Sequence, residues 1–281
     1  MEKRILIYTN HFSPENFKIN EVVEWLIESG FYVHVITGWP NYPGGKIFKG
    51  YGFLKKSFEI IGRLSIVRLP LIPRGSGAKF RLLLNYLSYF FSTFFYTIYL
   101  ILLSKKYEKI LVHHTSPFFL AFSAVLYKKI KNSSAILWDL DMWPHTLQAM
   151  GIINSPILIE VLEKIVKKIY QAFDIIFVSS KSFESIAKKR VESFKIEYFP
   201  NWADREFEKI NLPINSPKNS DKIIITYAGN LGEAQGLDIV IKSIKASKNE
   251  NLEFNFIGSG RDKKRLQKLV ETNNLNINFI D

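Results

Sequence analysis

Short apolar, β-branched stretches recur along the chain, and most are followed by a segment whose apolar residues return at helical spacing. The pattern predicts strands at residues 4–9, 32–37, 65–71, 109–113, 135–140, 174–179 and 196–199. It predicts helices at 21–29, 118–130, 155–173 and 181–193. Regular alternation of this kind implies a doubly wound parallel sheet. Residues 201–221 change character, with Pro213, Pro217 and many Asn and Ser, and read as a linker. A second series starts near Lys222: a strand to Tyr227, a helix over 236–248, a strand over 252–257, a helix over 263–272 and a strand from Ile277. The fold class is therefore α/β. A first Rossmann-like domain covers 1–200, a linker 201–221 and a partial second domain 222–281.

One stretch interrupts the alternation. Leu82 to Ser104 (LLLNYLSYFFSTFFYTIYLILLS) has no charge, and Lys79, Arg81, Lys105 and Lys106 flank it. As a helix it would be roughly 33 Å long, about the thickness of a bilayer's hydrocarbon core. Three readings stay open: a membrane span, a core helix, and a helix whose outer face meets a membrane interface. A span conflicts with the βα pattern continuing on both sides, because it would divide one sheet across a membrane.

The chemistry-bearing residues cluster at strand ends and at glycines. In open α/β sheets, ligands bind beyond the carboxyl ends of the strands. The polar residues predicted there are Asn10, His11, Ser116, Asp139, Asp141 and His145. Near the C-terminus, Gly229-Asn230-Leu231-Gly232 joins a strand to a helix that starts near Gly236, and the next strand ends at Gly258 and Gly260. Such a unit suits a diphosphate, because glycines permit close approach and helix-start amides face negative charge. It equally suits a structural glycine turn. Neither a Walker lysine nor a full dinucleotide fingerprint is present.

Composition narrows the classes. Of 281 residues, 47% are hydrophobic, which allows a large core and argues against disorder. There is no cysteine, hence no disulfide, thiolate metal site or thiol nucleophile. The five histidines, His11, His34, His113, His114 and His145, make no convincing metal pattern, and no Gly-x-Ser-x-Gly elbow occurs. The net charge of +12 points to an anionic surface. No arginine-rich arm, zinc pattern or aromatic RNA-binding signature supports nucleic acid as the partner. The first residues lack the apolar run of a secretory signal, so a cytoplasmic location is expected.

Several segments together resemble the bacterial glycosyltransferases of family 4, which have the two-Rossmann-domain GT-B architecture, and in particular those of capsule, O-antigen and exopolysaccharide assembly. They are His11-Phe12-Ser13-Pro14-Glu15, Thr37 to Gly44 (TGWPNYPG), Asp141-Met142-Trp143-Pro144, Pro200 to Asp204 (PNWAD), Tyr227 to Gly232 with Gln235-Gly236-Leu237-Asp238, and Phe256 to Gly260 (FIGSG). The resemblance implies transfer of a sugar, with retention, from a nucleotide donor, typically a UDP-sugar, and needs neither metal nor cofactor. The acceptor would be a saccharide or a lipid-linked one. That would place the protein peripherally on the inner face of the cytoplasmic membrane, through the Leu82–Ser104 region and basic residues.

Carried over by position, Gly229, Asn230, Leu231, Gln235, Gly236, Gly258 and Gly260 would bind the donor. His11, Trp143 and His145 would line the acceptor side, and Asp141 is the catalytic candidate. The chain departs from the family in having Asn16-Phe17-Lys18 where relatives have glycines, and His145 where an acidic residue is common. The family's paired glutamates would fall beyond Asp281, so the second domain reads as incomplete. Two alternatives follow: a non-catalytic sugar-nucleotide-binding subunit, completed by a partner polypeptide, and a GT-B-like UDP-sugar epimerase.

Overall fold

The computed structural model describes residues 3–75, 79–103, 106–149, 153–204, 207, 223–247, 251–260 and 262–280. Lys105, Lys222 and most of the expected linker at 201–221 lie outside these. The chain divides into two compact units, one formed by 1–148 and 153–202, the other by 149–152 and 203–281.

In the first unit the elements run β1 (Arg4–Thr9), α1 (Ile19–Glu28), β2 (Tyr32–Gly38), β3 (Phe58–Ile61), β4 (Leu64–Leu69), α2 (Lys79–Leu103), β5 (Lys109–His114), α3 (Leu120–Lys131), β6 (Ser134–Asp139), α4 (His145–Ala149), α5 (Pro156–Ala172), β7 (Ile175–Val178), α6 (Lys181–Ala187) and β8 (Ile196–Tyr198). They build one sheet in the order β3-β4-β2-β1-β5-β6-β7-β8. Every pairing is parallel except that of β3 with β4. Alternate strand residues feed two cores. Leu6, Tyr8, Ile36, Ile110, Val112 and Leu137 pack under α2, α3 and α5. Ile5, Ile7, Val33, Val35, Leu111 and Trp138 pack on the other face with Ile19 and Val23 of α1. A sheet covered on both faces needs nearly continuous apolar strands, which these sequences supply.

The strand order places β2 and β5 on opposite sides of β1. The loops leaving β1 and β5 therefore turn to opposite faces, which opens a crevice at their carboxyl ends.

Three expectations need correction. The edge strand β3 was not foreseen. It pairs antiparallel with β4 through a turn at Gly62 (φ +57°), and its side chains are largely exposed, so its apolar content gave no core-facing pattern. The helix expected over 181–193 stops at Ala187. The chain leaves it to bury Arg190, which bonds Glu163 and the carbonyl of Trp143. The short helix α4 also had no counterpart in the periodicity.

The long apolar run is a helix of the first unit. Residues Phe80–Leu103 of α2 are long and apolar enough to cross a membrane by length and composition. Yet α2 turns its hydroxyl and amide residues inward: Asn85, Tyr89, Thr93 and Thr97 are buried, each four residues after the last. Tyr89 donates to the Thr9 carbonyl (2.6 Å), the Tyr8 and Thr97 hydroxyls meet at 3.1 Å, and Asn85 donates to the Ile72 carbonyl (2.6 Å). Phe80, Leu83, Phe91, Phe95, Tyr99, Leu102 and Leu103 face outward. A core helix would show the reverse distribution.

In the second unit, β9 (Ile223–Ala228), α7 (Leu237–Ser247), β10 (Leu252–Ile257), α8 (Lys263–Thr272) and β11 (Ile277–Ile280) form a three-stranded parallel sheet in the order β11-β10-β9. Its core joins Leu237 and Ile241 of α7, Phe254 and Phe256 of β10, and Leu266 and Val270 of α8. Ile223, Ile224 and Ile225 of the edge strand β9 are exposed.

Two buried histidines tie the first unit's stability to pH. Burial, reinforced by the Arg4 charge, lowers His34 to about 4. Burial, reinforced by His11 and His114, lowers His113 to about 3. In both cases the unfolded chain takes up a proton at a pH where the folded unit does not. Their neutral forms therefore stabilise the fold fully above about pH 6.5, and that stability is lost as the pH falls toward the folded values, by about 1.4 kcal/mol per pH unit for each. All five tryptophans lie in the first unit, so their fluorescence follows its unfolding alone. The thermal midpoint read this way should drop between about pH 6.5 and pH 4, and His113→Gln should flatten the dependence. A midpoint independent of pH over that range would contradict the assignment.

Candidate functional site

Within the first unit the strand-end residues form two hydrogen-bonded sets. The first joins the loops after β1, β2 and β4. The Glu15 carboxylate is buried. It meets His11 Nδ1 at 2.9 Å through one oxygen and accepts the backbone amides of Asn41 (2.9 Å) and Tyr42 (2.7 Å) through the other. The two segments His11–Glu15 and Thr37–Gly44 are thus bonded to one another. On the far side of the imidazole, Arg74 Nη2 lies 2.9 Å from His11 Nε2. With Nδ1 facing a carboxylate and Nε2 facing a guanidinium donor, the neutral Nδ1–H tautomer satisfies both contacts. Burial lowers the His11 pKa despite the opposing influence of Glu15, which agrees with that neutral form. The His11 ring stacks on Phe17 at 4.6 Å, at the position where glycines were expected. Arg68 donates to the Ser13 carbonyl at 2.9 Å and pairs with Glu59, which holds the same loop from below.

The second set lies at the ends of β5 and β6. His113 and His114 point to opposite faces of the sheet, as neighbours on a strand must. His113 meets Thr9 Oγ1 (2.8 Å) and packs on Trp138. His114 Nδ1 lies 2.6 Å from Asp139, whose carboxylate also accepts the Tyr170 hydroxyl and the Asp141 amide. Asp139 is fully buried with these three donors, and its role is to fix the start of the loop that follows. Asp141 uses one carboxylate oxygen to accept the Ser116 amide at 2.9 Å. Trp143 is buried edge-on against Phe119. Its carbonyl accepts from Arg190, which also forms a two-point pair with Glu163 and sits over the Tyr170 ring. His145 is half-exposed, 3.9 Å from Glu163.

The acceptor-side candidates are therefore divided. His11 belongs to the Glu15 set, and Asp141, Trp143 and His145 belong to the loop that Asp139 and Arg190 hold. Sequence reading missed Arg74, Tyr170, Glu163 and Arg190 as parts of these sets. Their partners lie 27 to 63 residues away, so no local pattern marks them. The spacing of His11 and Glu15 was the one local signal. Among the described residues no group of three or more His, Asp or Glu side chains is placed to hold a metal ion.

The second unit contains the glycine site. The turn after β9 lies against the turn after β10. The Gly229 amide donates to the Ile257 carbonyl (3.0 Å), Leu231 to Ser259 (2.8 Å), and Asp262 to Leu231 (2.9 Å). Gly258 (φ +132°) and Gly260 make this approach possible. A Cβ on Gly258 would lie 2.1 Å from the Gly229 carbonyl oxygen, and one on Gly260 would lie 2.1 Å from that of Leu231. Leu231 is fully buried, whereas Gly229, Asn230 and Gln235 are exposed. Gly236, at φ +60°, turns the chain into α7 from a 3-10 turn at Glu233–Gln235. The amides of Gln235 and Gly236 donate to Gly232 (3.2 Å) and Glu233 (3.1 Å). Four of the amides expected to face a ligand are thus used within the unit itself.

Residues 208–280 match the family model for glycosyl transferases group 1. The chain is similar to WcaI of Escherichia coli K12, named as a colanic acid biosynthesis glycosyl transferase: 26% identity, covering 97% of this chain and 70% of that protein. It is also similar to WbjE of Pseudomonas aeruginosa, named as a glycosyltransferase, with 27% identity over 65% of this chain and 47% of the other. Among solved structures it resembles the UDP-forming α,α-trehalose-phosphate synthase of Burkholderia vietnamiensis, with a TM-score of 0.61, 13% identity, and coverage of 100% of this chain and 72% of that one. A second neighbour is Anabaena Alr3699/HepE in complex with UDP and glucose, with a TM-score of 0.57, 10% identity, and coverage of 99% and 69%. At these identities the two structures show a shared fold alone. The chain thus has the GT-B fold, and its residues 208–280 match the group 1 glycosyl transferases.

Proposed function

We propose that the chain transfers a sugar, with retention and without a metal, from a UDP-sugar to a saccharide or lipid-linked acceptor during cell-surface polysaccharide synthesis. The observation that carries the reading is the pair of apposed glycine turns in the second unit, which falls inside the segment that matches the transferase family. A diphosphate there would be held by the exposed positions of the turn, Asn230 and Glu233, and the first turn of α7. Backbone dipoles aimed at the departing diphosphate provide stabilisation of the oxyanion-hole type. Two gene products similar in sequence are named for glycosyl transfer, and one solved neighbour is described with UDP and glucose bound. Retention and metal independence rest on the family resemblance.

The membrane part of the proposal rests on one face of the first unit. The outward residues of α2 are joined there by Phe122 of α3 and by Ile157, Leu158, Val161 and Ile165 of α5, all exposed. Farther along α5 and α6 lies a hollow of ≈ 460 Å³ lined by Lys167, Lys188, Lys189 and Lys195 with one acid, Glu192. An apolar band beside a cationic hollow suits the headgroup region of an anionic membrane, on the cytoplasmic side where a nucleotide-sugar is present. The inward hydroxyl face of α2 supports peripheral contact over spanning.

Two measurements check these statements. Calorimetric titration of UDP into the full chain should show binding, and Gly260→Ala should weaken it by roughly tenfold or more, because the added methyl forces the two turns apart. Unchanged UDP affinity in that variant would remove the glycine site from the donor role. In flotation, the chain should rise with vesicles containing phosphatidylglycerol, less so with phosphatidylcholine alone. The double variant Phe91→Ser, Phe95→Ser should remain at the bottom of the gradient while keeping its melting temperature. Equal flotation by the variant would contradict the assignment of this face.

A further inference from the structure

A small recess in the first unit lies where the loops after β1, β2, β4 and β5 meet the first turns of α2. Asn10, His11, Asn41, Arg74, Tyr86 and Pro117 are among its walls, and its volume is ≈ 10 Å³. That is about the space one water-sized group occupies. Two buried polar atoms of these side chains have no hydrogen-bond partner among the described residues: Asn10 Oδ1, an acceptor, and Arg74 Nε, a donor. Buried polar groups are normally paired, so each calls for an explanation.

The Asn10 amide cannot turn over to relieve its oxygen. Its Nδ2 donates to the Thr115 carbonyl at 2.8 Å and the Ser116 carbonyl at 3.0 Å. Exchanging the two ends would set oxygen against two oxygens. Arg74 is fixed as well. Its guanidinium lies over the rings of Tyr42 (5.5 Å) and Tyr86 (5.7 Å), and Nη2 points at His11. Two residues that line the recess thus each carry one unused polar atom, an acceptor on Asn10 and a donor on Arg74, and both side chains are held in position.

The chemistry of the missing group follows. A carboxylate or phosphate would satisfy Arg74 but bring negative charge to the Asn10 oxygen. An ammonium would do the reverse. A hydroxyl donates once and accepts twice, and so completes both. We infer that this recess is an acceptor subsite that seats a single sugar hydroxyl, with Asn10 Oδ1 accepting its proton and Arg74 Nε donating to its oxygen. Tyr42 and Tyr86, already gathered around Arg74, supply aromatic surface for the ring that carries the hydroxyl. The identification of that sugar as the acceptor rests on the transferase reading above. The recess belongs wholly to the first unit and the donor turns to the second, so the two can be tested apart.

Saturation-transfer NMR of the full chain with methyl α-glycosides of glucose, galactose, mannose and rhamnose is the direct test, followed by the monodeoxy series of whichever binds. Removal of one particular hydroxyl should weaken binding about tenfold, the loss of a hydrogen-bonded contact. Arg74→Lys keeps the charge but lacks Nε. In that variant the parent glycoside should bind more weakly, and the deoxy penalty should shrink to roughly threefold, because the two changes share the Arg74 contact while the Asn10 contact remains. The deoxy series on the unaltered chain is independent of how any variant folds. If no methyl glycoside binds, or if the deoxy penalty persists undiminished in Arg74→Lys, the subsite is overturned and the recess is a place for water. UDP titrated into the same samples reports on the second unit. A glycoside failure with UDP binding intact strikes this subsite and leaves the donor reading in place.

Discussion

A parallel sheet covered on both faces has one region where polar groups must be buried without a strand partner: the carboxyl ends of its central strands. The first unit meets this constraint with two carboxylates. Glu15 takes up the amides of Asn41 and Tyr42 together with His11. Asp139 takes up His114, Tyr170 and the Asp141 amide. Buried charges are tolerated when several donors converge on them, and the cost of removing one partner is correspondingly high. Each carboxylate therefore fixes loops by the need to satisfy it. The loops after β1, β2 and β4 follow Glu15, and the loop after β6 follows Asp139.

The sequence displays the βα alternation because strands buried on both faces must be apolar throughout, and runs such as Arg4–Thr9 and Lys109–His114 are visible for that reason. It displays β3 poorly, since a largely exposed edge strand of four residues imposes no such demand. It displays the composition of α2 but not its orientation. Only the packed structure shows that Tyr89, Thr93 and Thr97 are the residues turned inward, because their hydrogen bonds go to Thr9, Ile36 and Tyr8 far along the chain or within the helix itself.

The candidate site divides along similar lines. His11 with Glu15 four residues later is readable as a pair. Arg74 and Arg190 are not, since each acts on a loop from a distant element. The glycines were legible as residues that permit close approach, but the neighbour approached was not. For Gly258 and Gly260 it is the protein's own backbone at Gly229 and Leu231. A glycine selected by its neighbour in the fold and one selected by a ligand look alike until the structure is known.

That backbone contact has a mechanical side. The turn after β9 is bonded to the turn after β10, and the Gly258 amide in turn donates to the Ile280 carbonyl at the end of β11. A chain of main-chain bonds thus runs from the glycine turn across the width of the sheet to its far strand. The turn cannot rise or tilt as a free lid would. Lifting it would mean breaking main-chain bonds to β10 and, through Gly258, disturbing the bond to β11, with no side chain between them.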